Sequence, residues 1–295
     1  MSHDFTVAVC TRDRGPQLAR TLDALRGGTV RDFPILVVDQ STAADPDLER
    51  RSADDPLLEV VRDPGHGLSR ARNVALRLLN SEWVAFVDDD CLPEPDWAER
   101  LGEALSAHPS AALVAGDVAG SGLDGDYVAA SVMRVDRERI RRGRFTHPGL
   151  VAFGVCFAVR RSVAEELGGF DERLGPGAPE FPAADDMDFN YRLLRSGAVA
   201  YQTPRLRVHH EQWRSPAELP GLYRGYLRAW SGFAAKQIRG GDWLGGLWLW
   251  AIGLVDALDM LASALGRRSR TRLRIALAKL RGLAEGTIRG LGRSW

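Results

Sequence analysis

Five apolar residues, Trp83-Val84-Ala85-Phe86-Val87, run without a break into Asp88-Asp89-Asp90. A short run this rich in β-branched and aromatic residues predicts a strand buried on both faces, as in a parallel sheet with helices on either side. The carboxylates then stand at its C-terminal end, where open α/β sheets bind their ligands. Three adjacent carboxylates repel one another. A divalent cation relieves the repulsion, and hard oxygen ligands suit Mg²⁺ or Mn²⁺, metals that commonly bridge to substrate phosphates. Alternation along an extended chain puts Asp88 and Asp90 on one side and Asp89 on the other. The plainer alternative is an acidic turn that ends the strand, assisted by Pro93.

The stretches before it repeat one pattern. Phe5 to Cys10 predicts a strand, Pro16 opens a helix carrying Leu18, Leu22 and Leu25, and Phe33 to Val38 predicts a second strand ending at Asp39. Leu57 to Val61 predicts a third, and Gly65 to Asn73 leads into a helix through Leu79. Strand and helix in alternation predict a parallel sheet with covered faces. Polar groups just past the strand ends (Arg12 and Asp13; Asp39; Asp88 to Asp90) then converge on one crevice. Singly, Asp39 reads as a turn cap and Arg72 as a solvated helix arginine; their shared place at one sheet edge is what argues for a site.

The ordered set VAVCTRDR, VVDQS, GLSRARN and VAFVDDD resembles the N-terminal half of family 2 glycosyltransferases, which have the GT-A fold. The resemblance spans roughly Phe5 to Trp213. It implies an α/β fold: a mostly parallel, Rossmann-like sheet flanked by helices, with a C-terminal helical appendage. It implies Thr11, Arg12, Asp13 and Asp39 around the donor nucleoside and Arg72 near the base or phosphates. Asp88 and Asp89 would lie on the donor nucleotide, and Asp90 on the metal.

Ser110 to Val118 predicts another strand. Ala119 to Pro148 reads as irregular, with a basic cluster of Arg137, Arg139, Arg141, Arg142 and Arg144 that is either a solvated face or an acceptor-facing insert. Gly154-Val155-Cys156 and Leu167-Gly168-Gly169-Phe170-Asp171 resemble the acceptor-side segment of the family, although Val155 and Cys156 stand where it often has Asn. Ala184-Asp185-Asp186-Met187-Asp188 resembles its Glu-Asp-x-Asp motif, with Asp185 in place of the Glu. Asp186 then corresponds to the catalytic base, and Asp185 and Gly154 to the acceptor side. The alternative for both acids is a helix N-terminus, where the dipole favours carboxylates. Ala198 to Gln202 and Leu206 to His210 predict two short strands. His209-His210 closes the second, and His210 matches the histidine that completes the metal shell in many members. Trp213 either stacks on a sugar on the acceptor side or packs.

From Pro216 the pattern turns helical. Trp243 to Val255 is thirteen consecutive Gly or apolar residues, too short a run to predict a span and suited to a buried or interfacial helix. Beyond Gly266, Glu285 is the only acid among many arginines, which alternate with Leu273, Ile275, Leu277 and Leu280. Three readings of this basic amphipathic stretch stay open: a surface lying on an anionic membrane, a packed appendage, or a homodimer contact. The expected organisation is a catalytic domain over 1–213, with a nucleotide-sugar half to about 118 and an acceptor half from about 119, followed by a helical region over 214–295.

Composition excludes some classes. With 45% hydrophobic and 26% charged residues at zero formal net charge, the chain reads as globular, without a general attraction to nucleic acid. Cys10, Cys91 and Cys156 are odd in number and widely spaced, which suits a reducing compartment better than disulfides or structural zinc. No signal peptide is evident at the start of the sequence. The expected location is cytoplasmic, either free or peripheral on the inner face of the plasma membrane.

The expected activity is therefore metal-dependent, inverting transfer of a sugar from a nucleotide diphosphate sugar to an acceptor hydroxyl, with Asp186 as base and Mg²⁺ or Mn²⁺ as cofactor. The acceptor is left among saccharides, lipid-linked substrates and small molecules. Two alternatives are a catalytically silent sugar-nucleotide-binding protein and a nucleotidyltransferase. The latter lacks its expected Gly-rich phosphate loop, since Thr11 to Pro16 holds one Gly.

Overall fold

The computed structural model describes residues 4–121, 132–211, 214–293 and 295. They fall into two compact units. The first comprises the described residues of 4–121, 132–170 and 189–211, and the second those of 171–188, 214–293 and 295. The sequence reading placed the boundary near 213 and kept 171–188 with the catalytic domain; here that segment groups with the C-terminal helices.

The first unit is built on a nine-stranded sheet. Its strands are β1 (Phe5–Thr11), β2 (Ile35–Asp39), β3 (Leu58–Arg62), β4 (Trp83–Val87), β5 (Cys91–Pro93), β6 (Leu113–Ser121), β7 (Arg139–Arg141), β8 (Cys156–Arg160) and β9 (Ala200–Glu211). The order is β3-β2-β1-β4-β8-β6-β9-β5, with β7 also paired to β9. From β3 to β4 every pairing is parallel. Beyond β4 the sheet is mixed: β8 is antiparallel to β4 and β6, β9 parallel to β6, and β5 and β7 antiparallel to β9.

The parallel half follows from the chain's alternation. α1 (Gly15–Arg26), α2 (Pro46–Asp54) and α3 (Leu68–Leu78) are the crossovers that parallel neighbours require, and α4 (Trp97–Ala107) follows β5. α1 buries Leu18, Leu22 and Leu25, the apolar stripe read from the sequence. β1, β2 and β4 are buried at every position, which is why they read as continuous apolar runs. α2, which buries only Leu48, and α4, which buries Trp97 and Leu101, are not among the helices read from the sequence, nor is three-residue β5 among its strands.

Two strand expectations are corrected. Ala198–Gln202 and Leu206–His210 join into the single strand β9. Its partner β6 shifts register between Ala115 and Asp117, and Pro204 falls where the ladder is interrupted, the place a strand tolerates proline. Gly116 makes this possible, because a Cβ there would overlap the Leu206 carbonyl. The stretch expected to be irregular from Ala119 is strand to Ser121, and Arg139–Arg141 adds β7.

The second unit holds α7 (Leu219–Arg239), α8 (Trp243–Gly266) and α9 (Arg270–Gly292), which pack on one another. Glycines set the close approach: a Cβ at Gly282 or Gly286 would overlap the carbonyl of Arg224 or Arg228 on α7. α8 continues well past the thirteen-residue apolar run. At 24 residues it is long and apolar enough to cross a membrane by length and composition, and only 22% of its most apolar stretch is buried. α5 (Arg161–Glu166) belongs to the first unit, and α6 (Asp185–Arg195) begins in the second unit and ends in the first.

Candidate active site

The three carboxylates form a turn rather than a continuation of β4: the Cys91 amide donates to the Asp88 carbonyl at 3.1 Å. The alternation expected of an extended chain therefore does not apply. Instead the Arg14 guanidinium spans Asp89 (2.7 Å) and Asp90 (3.0 Å), so these two gather on one cation. The Thr11 hydroxyl donates to the other Asp89 oxygen at 2.7 Å. Asp88 is directed elsewhere, to Arg72 at 3.1 Å.

His210 joins this turn through sheet register. It stands opposite Cys91, and its Nε2 lies 3.4 Å from the second Asp90 oxygen. Its neighbour His209 points to the other face of β9, as strand alternation requires, and meets Glu94 at 3.3 Å. Ligand atoms of Asp90, Cys91 and His210 all lie within 4.8 Å of one another. Burial pushes the Cys91 thiol well above its ordinary pKa, and a thiol is a softer ligand than the oxygens that Mg²⁺ and Mn²⁺ prefer. Asp90 and His210 remain as candidate ligands for a divalent cation, the carboxylate oxygen being of the kind that Mg²⁺ and Mn²⁺ prefer.

The electrostatics favour a cation here. Burial pushes the Asp88 carboxyl up to about 6, against the opposing pull of Arg72 and with added repulsion from Asp90 and Asp89. Burial also raises Asp89, against Arg14. Two guanidiniums thus face three crowded carboxylates. The expected donor residues Thr11 and Asp89 are occupied with each other, at 6% and 4% exposure, which makes them part of the support beneath the turn.

On the other side of β1, Thr11 pairs in register with Asp39. One Asp39 oxygen accepts from the Ser41 amide at 2.8 Å, and the other from Arg62 at 2.8 Å. Arg62, at the end of β3, also donates to the carbonyls of Ser41 and Ala43. It was not singled out from the sequence; its place past a parallel strand end was the available signal. Asp13 adopts a left-handed φ of 55°. Its carboxylate accepts from the amide and hydroxyl of Thr42, both at 2.9 Å, which joins the loops after β1 and β2. Arg12 is well exposed and lies 3.5 Å from Asp13.

Arg72 is not at the surface of a crevice. It is 1% exposed, donates to the Gly154 carbonyl at 2.7 Å, and lies 5.4–5.9 Å from the ring centres of Phe86, Phe157 and Phe170. It is the buried counter-charge that holds Asp88. Gly154 is correspondingly a close-approach position, since a Cβ there would come within 2.8 Å of Arg72. The adjacent Asn73 accepts from the Phe170 amide at 2.8 Å and donates to its carbonyl at 2.9 Å, tying α3 to the Gly168-Gly169 turn.

In the second unit, α6 opens at Ala184, which holds a left-handed φ of 68°, a strained conformation for a residue with a Cβ. Asp185 is buried and Asp186 half-buried, its oxygen accepting from the Met187 amide at 2.8 Å. Asp188 is fully buried and bonded to Lys236 of α7 at 2.7 Å, and Lys236 also bonds Asp171 at 2.6 Å. Lys236 is thus a link between the two acidic motifs that the sequence, with only two lysines, offered without a partner. In the first unit, Asn190 on the same helix donates to the carbonyls of Pro148 and Ala152. In the basic cluster Arg139 pairs with Asp136 and Arg141 with Gln202, while Arg137, Arg142 and Arg144 are exposed. Trp213 lies outside the described residues.

The sequence matches the model of glycosyl transferase family 2 over residues 6–168. It is 27% identical to a pre-mycofactocin glycosyltransferase of Mycobacterium tuberculosis over 81% of this chain, and spans about half (46%) of that relative's length. It is 24% identical to a glucosyl-dolichyl phosphate glucuronosyltransferase of Haloferax volcanii, over 78% of this chain and 76% of the relative. In fold it resembles the mannosyltransferase PcManGT of Pyrobaculum calidifontis, solved with GDP-Man and Mn²⁺, with a TM-score of 0.62 at 20% identity over 96% of this chain and 86% of that one. It also resembles residues 1–349 of S. aureus TarS, with a TM-score of 0.58 at 17% identity over 99% and 92% of the two chains. The match over more than half its length, together with the acidic turn at the end of β4, places this chain in glycosyl transferase family 2.

Proposed function

We propose that the protein transfers a sugar from a nucleotide diphosphate sugar to an acceptor hydroxyl, with inversion and with the help of Mg²⁺ or Mn²⁺. The observation that carries this is the cluster at the end of β4, where His210 sits against Asp90 and Arg72 and Arg14 hold the flanking carboxylates. Asp90 and His210 would hold the metal, which supplies positive charge to the departing diphosphate. Asp39, buried with its oxygens on the Ser41 amide and Arg62, would hold these two groups in place around the nucleoside. Asp186 accepts the proton of the acceptor hydroxyl as its oxygen attacks the anomeric carbon and the bond to the diphosphate breaks. A single displacement of this kind inverts the anomeric centre.

The names of the relatives support the class of reaction, and the complex of the Pyrobaculum enzyme supports the donor and metal class through the shared fold. Neither selects a sugar or an acceptor. The test is Asp186→Asn. Donor-nucleotide binding in Mn²⁺ is retained while turnover falls by roughly 10²–10⁴-fold, the usual contribution of a positioned base. Turnover at the wild-type rate in this variant would refute the assignment.

A further inference from the structure

The exposed surface of α8 carries an apolar stripe along its whole length, with Asp259 exposed at its flank. Leu244, Leu247, Ala251, Val255, Leu258, Ala262 and Leu265 recur three or four residues apart, the spacing of one helical face, and all are exposed. Leu247, Val255 and Leu265 are each more than half exposed. The opposite face is accounted for. Gly246 packs against Ala234 and Ile238, and Gly253 against Trp230 and Leu283. Asp256 turns away from the stripe to bond Lys279 of α9 at 2.9 Å. A stripe this long is more than the scattered apolar exposure of ordinary protein surfaces.

Charge identifies what covers it. Arg267 and Arg268 follow Leu265 after a single glycine, and the exposed face of α9 runs Arg270, Arg274, Leu277, Arg281, Ala284, Ile288 and Leu291. Arginine and leucine taking turns on one helix suit the headgroup level of a bilayer, where the aliphatic stem lies along apolar surface and the guanidinium reaches phosphate. The core of a protein–protein contact is depleted of charge. Trp243, 57% exposed at the start of α8, is the residue type enriched at membrane–water boundaries.

We propose that the α8 and α9 pair is a peripheral membrane-binding surface, with the α8 stripe entering the acyl boundary of an anionic phospholipid bilayer and the α9 arginines engaging its headgroups. α8 lies along the membrane rather than across it, because its other face is packed on α7 and α9. This proposal stands on the surface of the helical unit and does not depend on the transferase reading.

The test is flotation of the full chain with phosphatidylcholine vesicles with and without phosphatidylglycerol, at low and high salt. The wild type floats with the anionic vesicles, and high salt weakens it. Replacing Arg267, Arg268, Arg270 and Arg274 by Gln lowers partitioning by roughly tenfold or more. Leu247→Asp, Val255→Asp and Leu258→Asp together abolish flotation while the circular dichroism stays that of wild type. Without any variant, acyl-chain-brominated lipid quenches the wild-type tryptophan fluorescence. The proposal fails if the wild type does not float with anionic vesicles. It also fails if flotation is indifferent to phosphatidylglycerol and to the arginine replacements. It fails equally if the chain ignores vesicles and the triple Asp variant converts a dimer to a monomer, which would make the stripe a contact between copies.

Discussion

Replacing Lys236 by Met should destabilise the helical unit more than any other single charge removal in it. The Lys236 ammonium lies between Asp171 (2.6 Å) and Asp188 (2.7 Å), whose side chains are 8% and 0% exposed. Met retains the stem and removes the charge, leaving two buried carboxylates with one cation fewer. Removing one partner of a buried pair costs about 3–5 kcal/mol, because the remaining charge stays desolvated. Arg173 still bonds Asp171 at 2.7 Å, which favours the lower end, about 3 kcal/mol.

The pH dependence of that loss follows from Asp171. Burial raises its pKa, but the hydrogen bond from Arg173 and the charge of Lys236 outweigh burial and hold the carboxyl far below its ordinary value of 3.8. A depressed carboxylate contributes stability in full above its unfolded pKa and loses it as pH falls through its folded one. The gap between wild type and Lys236→Met is therefore constant near neutrality and narrows below about pH 4. Urea denaturation of both proteins at pH 7 and at decreasing pH measures it. A gap under about 1 kcal/mol at pH 7, or one that stays the same on acidification, would refute the reasoning.

Other expectations concern the sheet unit. Arg72→Met removes the guanidinium that pairs with partly buried Asp88 and should cost about 3 kcal/mol, much of it recovered by adding Asp88→Asn, as a double-mutant cycle in denaturant would show. Asn73→Ala leaves the amide and carbonyl of Phe170 without their side-chain partners and should cost about 2–3 kcal/mol by chemical denaturation. Gly169→Ala combines a φ of 70° with a Cβ 2.5 Å from the Asn73 oxygen, and should cost at least about 2 kcal/mol in the same assay. A neutral effect in any of the three would contradict the role given to that contact.

The half of the fold that was legible from the sequence is the half where one signal decided one element. β1, β2 and β4 are apolar throughout because parallel strands are covered on both faces, and α1 carries a clean stripe. The acidic turn and His210 were legible as residue types at strand ends. What the sequence did not reveal depended on contacts distant along the chain. Arg14 reaches Asp89 and Asp90 across 75 and 76 residues, and Arg72 reaches Gly154 across 82. Spacing arguments carry no information about such partners, so Arg72 read as a ligand-facing or solvated arginine when it is a buried counter-charge. Likewise the sequence reads as two strands where β9 is one, with Pro204 between them. Only the register shift at Gly116, on another strand, lets the chain continue. α8 was judged by its thirteen uninterrupted apolar residues, although the helix continues through Asp256 and Asp259 to Gly266.

The central claim is that the turn after β4 binds a nucleotide diphosphate through a metal held by Asp90 and His210. Thermal unfolding with a panel of nucleoside diphosphates, with and without Mn²⁺, on wild type and Asp90→Ala, tests it most directly. At a ligand concentration about a hundred times Kd, binding adds about 2.7 kcal/mol to stability. For a chain of this size that raises Tm by roughly 5–10 °C. The account predicts a rise of that order with one nucleoside diphosphate in Mn²⁺, absent without the metal and absent in Asp90→Ala. A rise that is the same without metal, or one that survives in Asp90→Ala, would contradict it.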